Sequence, residues 1–538
     1  MRKRVKVLGA LVALGLVASA CGGDDDESDA GADGSSPEGG GEEVCTEDRV
    51  GGSLTMAPLS LGTSLDPYGV GGGTAQTALE YIALYDSLLR YDEETGEFVG
   101  QLAEGIEPNE DASVWTLTLR EGIEFGNGDP LDADAVKAAT DRYLDPEGTS
   151  RMKATAQFVE SVEVVDPLTV RYTLTNPWGF FPINLSAGGG TVGALGLIPN
   201  VALIEERGVD AFGQDSTGGG AGPYEIKEWS PPGRVVVEAK DDWWGGPVCI
   251  EELTFAPQAG GQAVLDAMRT GEVDMGYQYR DPVVAAEARD EFQHASSLYQ
   301  AGTIFEFNMA DPRLADLRTR QAMTWAIDPE VVDERAYGGM GLPWTGLVHP
   351  DADLLEGTEG PGSDPEAAEA LVAELEAEGM DLSFELLTAD PAATVEAALA
   401  TEALLEAVGF DIEVRSVPTQ QIISAVYTER DFELAFGGQV GSEATLFASL
   451  SRFNSVNPAN PYGYADPDFD AALLELQAAQ DPDELQAAIE QVQEVWNETL
   501  PAAVTFTDEA NWLWRDGIEG LVFTRGVTPY FDTAYIED

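Results

Sequence analysis

The sequence predicts an α/β fold, and three stretches carry that prediction. Residues 303–328 (TIFEFNMADPRLADLRTRQAMTWAID) open as a strand and continue as a helix. Residues 113–143 repeat the pattern: Trp115, Leu117 and Leu119 alternate with Thr116, Thr118 and Arg120, and a helix starts at Asp132 and runs through Val136 and Ala139. Residues 364–417 then alternate helix, strand, helix, strand, the order of a β-α-β unit. Period-two runs followed by helical runs, repeated along one chain, favour mixed layers over an all-helical or all-strand fold.

Each element has a local cause. In the 303–328 stretch, Ile304, Glu306 and Asn308 fall on one face of the strand and Phe305, Phe307 and Met309 on the other. Asp311-Pro312 breaks the strand, because proline removes a ladder donor and fixes its own φ. In the helix that follows, Leu317, Ala322, Trp325 and Ala326 share a side, and Arg318 and Arg320 are expected to reach solvent. We read this stretch as the point where one lobe hands over to another. In 364–417, Asp364-Pro365-Glu366 starts a helix with proline at the tolerated first position. Ala368, Leu371, Val372 and Leu375 share its face and Gly379 ends it. Thr394 to Val408 is the next helix, stopped at Gly409, and Phe410 to Val417 the next strand. Asp481-Pro482-Asp483-Glu484 starts another helix with a capping-box pattern.

The remaining elements lie earlier in the chain. Gly52–Ala57 is a short strand followed by the loop SLDPYG. Val159–Leu174 gives two strands around Asp166-Pro167, and Gly126-Asn127-Gly128 is a turn. Ala263–Asp274 is a helix stopped at Gly271, the residue best suited to a left-handed helix end, and a strand follows through Val273 and Met275. The glycines of 218–222 precede a strand and lack the lysine of a phosphate loop, so they are not a nucleotide site.

Composition narrows the function. The chain has 538 residues, more than one core needs, and 97 acidic against 28 basic residues, a formal net charge of −69. Such a surface repels nucleic acid and anionic lipid headgroups. It suits either solubility in a salty setting or attraction of cationic solutes. No HExxH, GxSxG or histidine-paired cysteine is present, and only His294 and His349 occur. We therefore expect no enzyme, no cofactor and no metal site.

The N-terminus addresses the compartment. Arg2, Lys3, Arg4 and Lys6 precede an apolar run from Val7 to Ala18, too short to span a membrane comfortably. Leu16-Val17-Ala18-Ser19-Ala20-Cys21 resembles a bacterial lipobox. That resemblance implies a signal peptide over 1–20, lipidation of Cys21 and an extracytoplasmic protein held at the cell membrane. Residues 21–44 are acidic and Gly/Ser-rich, the composition of a tether. With Cys21 lipidated, Cys45 and Cys249 remain as a pair, and export permits a disulfide between them.

Several motifs are familiar together. FEFN, RTRQAMTWAID, YGG and GLPWTG, the 113–143 stretch SVWTLTLREGIEFGNGDPLDADAVKAATDRY, GGGAGPYEIKEW at 218–229 and Trp243-Trp244-Gly245-Gly246 resemble the extracellular solute-binding proteins of family 5, which serve ABC importers. The resemblance runs from about Cys45 to Asp538. It implies a two-lobed periplasmic-binding-protein-like fold of type II with an extra α/β subdomain. The first lobe is expected at 46–82, 214–302 and 508–538, the subdomain at 83–213 and the second lobe at 303–507. The implied function is capture of a small solute, a peptide or peptide-like compound foremost, and its delivery to importer permease subunits. A sensory binding protein and an extracytoplasmic hydrolase are the alternatives. The chain is expected to act as a monomer.

The resemblance also implies a cleft. Tyr68 sits in the loop that borders it in relatives, and Tyr277, Asn308, Met309, Phe506 and Trp512 come from cleft-facing segments. The segment Gln439–Glu443 should face the cleft. Where peptide-binding relatives carry a tryptophan and an amino-anchoring aspartate, this chain has Gln439 and Ser442, with Val440 between. Glu443 replaces that carboxylate if the loop is shifted by one residue. Otherwise zwitterionic peptides lose their charge-assisted anchor.

Overall fold

The computed structural model describes residues 45–46, 49–69, 79–92, 97–145, 156–186, 194–390, 392–438, 441–524 and 526–537. The expected signal peptide, Cys21 and the whole of the expected tether, Gln439 and Val440 lie outside them.

One ten-stranded sheet organises the described chain. Its strands are β1 (Ser53–Ala57), β2 (Tyr224–Ser230), β3 (Arg234–Ala239), β4 (Glu252–Phe255), β5 (Met275–Tyr279), β6 (Gln293–Phe307), β7 (Ser383–Ala389), β8 (Asp411–Val417), β9 (Leu434–Gly438) and β10 (Ala502–Trp514). Their order is β8-β7-β9-β6-β10-β5-β1-β4-β3-β2. The long strands β6 and β10 pair antiparallel at the centre, from Gln293–Trp514 to Glu306–Ala502. On one side β5, β1 and β4 lie parallel around β1, and on the other β7 lies parallel between β8 and β9.

Alternation decides which core each strand feeds. In β6, Phe305 and Phe307 join Leu434, Phe436 and Phe506 under the helices Leu317–Ala326, Pro365–Ala377 and Ala392–Ala407. Ile304, on the opposite face, joins Ala435 and Val504 in a separate core. Near the other edge, Leu54, Val237, Leu253, Phe255 and Trp512 form a third. A smaller antiparallel sheet of Ala103–Pro108, Val114–Leu119, Thr169–Leu174 and Val159–Asp166 lies under the helix Ala133–Leu144, N-capped by Asp132. This sheet and its flanking loops touch the later helices directly. Trp178 meets Phe447 edge-on with ring centroids 5.1 Å apart, and Gly179 N–H donates to Gln477 O at 3.1 Å. Cys45 and Cys249 form a disulfide with Cα atoms 5.3 Å apart.

Two expectations for the 317–326 helix are corrected. Arg320 does not reach solvent; it is 6% exposed. Its guanidinium donates to Leu314 O at 2.6 Å, Thr499 O at 2.7 Å and Leu500 O at 2.9 Å, and so closes the end of helix Pro482–Thr499. Carbonyls left open at a helix end accept from a buried arginine as readily as from water. Burial lowers the pKa of Arg320 from its ordinary value. Leu317, expected on the packed side, is exposed, because it is the first residue of the helix. The strand expected through Val273 begins at Met275 instead, since Glu272 and Val273 N–H groups still bond to Ala267 O at the helix end.

Candidate functional site

The two central strands are interrupted together. Their register shifts between Tyr299 and Ile304, opposite Val504–Asp508. Ala301 there has φ 46° and Arg280 has φ 56°, both in the left-handed region that non-glycine residues enter at a cost. Polar contacts hold the irregularity. Asp508, 8% exposed, accepts from Arg280 Nε at 2.7 Å, Tyr279 Oη at 3.0 Å and Thr303 Oγ1 at 2.9 Å. Arg280 Nη2 donates to Gly302 O at 2.9 Å. Burial works most strongly against the Arg280 charge, but Asp508, Tyr279 and Tyr337 together outweigh it and the guanidinium is held above its ordinary pKa. Gly302 has to be glycine, because a Cβ would run into the Asp508 backbone and side chain.

Beside this knot lies a second buried charge. Glu306 has no exposed surface, although β6 is otherwise apolar toward its end. Its Oε1 accepts from Tyr462 Oη at 2.6 Å and from Tyr427 Oη at 2.9 Å. Burial raises its pKa, and the Tyr462 hydroxyl and the nearby Arg452 charge partly oppose that rise. Arg452 is half-buried; its guanidinium carbon lies 5.5 Å from the Tyr427 ring centroid and its Nε donates to Ser449 O at 3.2 Å. Strand β9 ends over this cluster in Gly437 and Gly438. A Cβ at Gly437 would strike the Glu306 carboxylate, and one at Gly438 the Arg280 guanidinium.

A cavity of about 380 Å³ opens between the smaller sheet and the later loops. It is lined by Tyr143, Ala156, Val159, Glu160, Asn457 and Pro458 among others. Tyr143 packs on Tyr68 with centroids 5.2 Å apart, and Arg142 covers the other ring at 4.7 Å while gripping buried Asp66 through two bonds of 2.5 and 3.0 Å. The cavity and the charged cluster share one loop. Pro458 and Ala459 line the cavity, and Tyr462 bonds to Glu306.

The residues expected from sequence fall into different places. Tyr68 is half-buried beside Tyr143. Phe506 stands edge-on to Tyr337 at 5.4 Å and lines a cavity of about 110 Å³ with Arg280 and Asp508. Tyr277 and Trp512, 4% and 0% exposed, pack against each other at 5.5 Å inside a hydrophobic core. Asn308 spends its amide within the fold: Nδ2 donates to Phe432 O at 2.7 Å and Oδ1 accepts from Ala310 N–H at 3.1 Å. Met309 is half-buried and its N–H donates to Tyr462 O at 2.7 Å. Ser442 is fully buried, and its hydroxyl has no partner among the described residues. Glu443 is 3% exposed and accepts from Leu354 N–H at 2.9 Å. Sequence reasoning missed Arg280, Tyr427, Arg452 and Tyr462, and it placed Glu306 on a face without weighing its charge. The available signal was a glutamate at an alternate position of Ile304–Phe307, a strand end that is otherwise apolar. Among the described residues no group of histidine, cysteine or carboxylate side chains could hold a metal ion. No helix among them is long and apolar enough to cross a membrane.

The profile of the Bacterial extracellular solute-binding proteins, family 5 Middle, matches residues 97–461. The chain belongs to this family. Among its curated relatives is the glutathione-binding protein GsiB of Salmonella paratyphi A, 27% identical over 318 residues, which are 58% of this chain and 59% of that protein. The same protein from Escherichia coli K12 is 26% identical over the same span. The chain thus spans less than two thirds of the length of these relatives. Solved structures extend the likeness to the whole fold of this family 5 member. The periplasmic binding protein AgaA in complex with agropinic acid, from A. tumefacien R10, superposes with a TM-score of 0.76 at 21% identity, covering 90% of this chain and 99% of that one. DppA from Helicobacter pylori in complex with the peptide STSA gives 0.76 at 18% identity, covering 91% and 99%. The fold is therefore the two-lobed α/β fold of periplasmic binding proteins.

Proposed function

We propose that this family 5 member is an extracytoplasmic binding protein that captures a small solute, peptide or peptide-like, and delivers it to the permease subunits of an ABC importer. The family match over 97–461 carries the proposal. The site supports it: aromatic and apolar walls with a few convergent polar groups are what a small-molecule cleft needs, and Tyr143, Tyr427, Tyr462, Glu306 and Arg452 supply them. The lobes are assigned as above, 46–82, 214–302 and 508–538 against 303–507, with 83–213 as a subdomain. The register shift in β6 and β10 falls beside the boundaries 302/303 and 507/508, so closing rotates the lobes about these two strands. The protein works as a monomer, anchored through a lipid on Cys21, and does no covalent chemistry.

Native mass spectrometry of the purified chain, followed by calorimetry with short peptides and glutathione, tests the reading. One retained solute per chain, or saturable binding at one-to-one stoichiometry, is expected. A substrate consumed with turnover, and no retained or saturable ligand, would overturn it.

A further inference from the structure

We infer that the cavity of about 110 Å³ on the far side of the central strands is the back of the hinge, and that its filling sets how far the lobes open; this rests on the lobe assignment given with the solute-binding reading above. The central sheet has two unlike faces. Ile304 and Val504 belong to one core and Ala510 and Trp512 to another, and both cores include residues of the subdomain 83–213. On the opposite face Phe305 and Phe506 belong to a further core, and Leu513 to a small one under helices Gly261–Thr270 and Pro282–Glu291; neither includes a described residue of 83–213. The cavity opens on this second face. Phe506 lines it, and so do Arg289 of helix Pro282–Glu291 and Asn511, whose Oδ1 accepts from Arg289 Nη1 at 3.1 Å.

Its two walls belong to different lobes. Pro282, Ala285 and Arg289 come from the lobe containing 214–302, and Tyr337, Met340 and Leu342 from the lobe 303–507. Each wall is fastened to its own side of the register shift. Arg289 bonds to Glu509 and Asn511, and Arg280 to Asp508 and Gly302 O. Thr507 N–H donates to Leu342 O at 3.0 Å, and Tyr337 meets Phe506 edge-on. Among the described residues no hydrogen bond or ion pair joins 280–289 to 337–342. The floor between the walls is Phe506–Asp508, where the lobe boundary 507/508 falls. The walls are thus free to move against each other about that floor.

Rotation about strands that lie between two faces moves those faces in opposite senses. The subdomain face is shut here, with Trp178 against Phe447 and Gly179 N–H on Gln477 O, so the cavity behind is at its wide end. Opening the front brings the two walls together and removes the space. A side chain that fills it fits the closed form and is overpacked in the open one, which close-packed protein resists. The equilibrium then moves toward the closed form, and solute affinity rises with the closed fraction. Ala285 is buried and offers the cavity only a methyl group, which leaves the hinge room to open.

The experiment is amide hydrogen exchange, read by mass spectrometry, on the full chain stripped of solute by unfolding and refolding. The reporter is the peptide containing Gly179, whose N–H crosses the front to Gln477 O. Ala285→Phe should slow its exchange about tenfold, and Ala285→Leu should slow it by less. Val283→Phe, at an exposed position of the same helix that does not line the cavity, should leave it unchanged. Peptides from helix Pro482–Thr499 control for global stability and should keep their rates. Where Ala285→Phe loosens the whole fold, the control peptides exchange faster as well, and Ala285→Leu decides. The inference is overturned if the Ala285 variants, with the control unchanged, leave the Gly179 peptide at the wild-type rate or speed it. It is also overturned if Val283→Phe slows that peptide as much. The readout needs no ligand, so the two readings fail separately. Slowed exchange in a chain that retains no solute in native mass spectrometry keeps the hinge and removes the binding function; a retained solute with unaltered exchange does the reverse.

Discussion

Glu80 carries the cost of burying a carboxylate that no cation among the described residues pairs with. It has no exposed surface; Oε1 accepts from Gly62 N–H at 2.7 Å, and Oε2 has no partner among the described residues. Burial pushes its pKa from 4.5 up to about 7. The folded value lies above the unfolded one, so the favourable contribution is complete below pH 4.5 and is lost as pH rises toward 7. Glu80→Gln fixes the neutral form. The variant should match wild type near pH 4.5 and exceed it at pH 8 by about 3 kcal/mol at most. Denaturant unfolding at the two pH values checks this, and equal stabilities at pH 8 would refute it. Single residues were the least legible part of the sequence. Glu306 could be placed on a strand face by alternation, but its partners Tyr427 and Tyr462 lie more than a hundred positions away. Only tertiary packing brings them together, and no local pattern records it.

Helices were more legible because their starts are written locally. Among the described residues, six of them open on Asp-Pro: at Asp281, Asp311, Asp328, Asp364, Asp466 and Asp481 the aspartate side chain accepts backbone N–H groups and proline takes the first turn. At Asp481 the carboxylate accepts from Glu484 N–H at 2.9 Å, and Glu484 reaches back to Gln480 N–H at 3.0 Å. Asp481→Ala should destabilise the protein by about 1 kcal/mol, and Asp481→Asn by less; chemical denaturation of both variants measures the difference. Helix ends were harder where a distant side chain closes them. The terminus of Pro482–Thr499 is sealed by Arg320, so the same arginine was assigned to solvent when only its own helix was considered. The strand order of the ten-stranded sheet was likewise beyond reach, since β1 pairs with strands some two hundred residues downstream.

At the scale of the whole molecule, the disulfide closes a long loop. Cys45 and Cys249 are 204 positions apart, and Cys249 is fully buried. Loop-closure entropy of that length corresponds to at most about 5 kcal/mol. The double variant Cys45→Ala, Cys249→Ala should lower the denaturation midpoint accordingly, while reductant should shift wild type toward the same midpoint and leave the variant unchanged. Fold class and family were legible at this scale because both rest on repeated elements. The cleft was not, because it is assembled from segments that the sequence keeps far apart.

The contact of Trp178 with Phe447 has an optical consequence. Trp178 is 2% exposed and meets Phe158 and Phe447 edge-on, one on each side of the junction between the smaller sheet and the later helices. An indole in such a site emits toward the blue, and separation of the two bodies would wet it and move its emission to the red. With the other nine tryptophans replaced, Trp178 would be a fluorophore at this seam, and a red shift on ligand release would report the proposed opening without a dye.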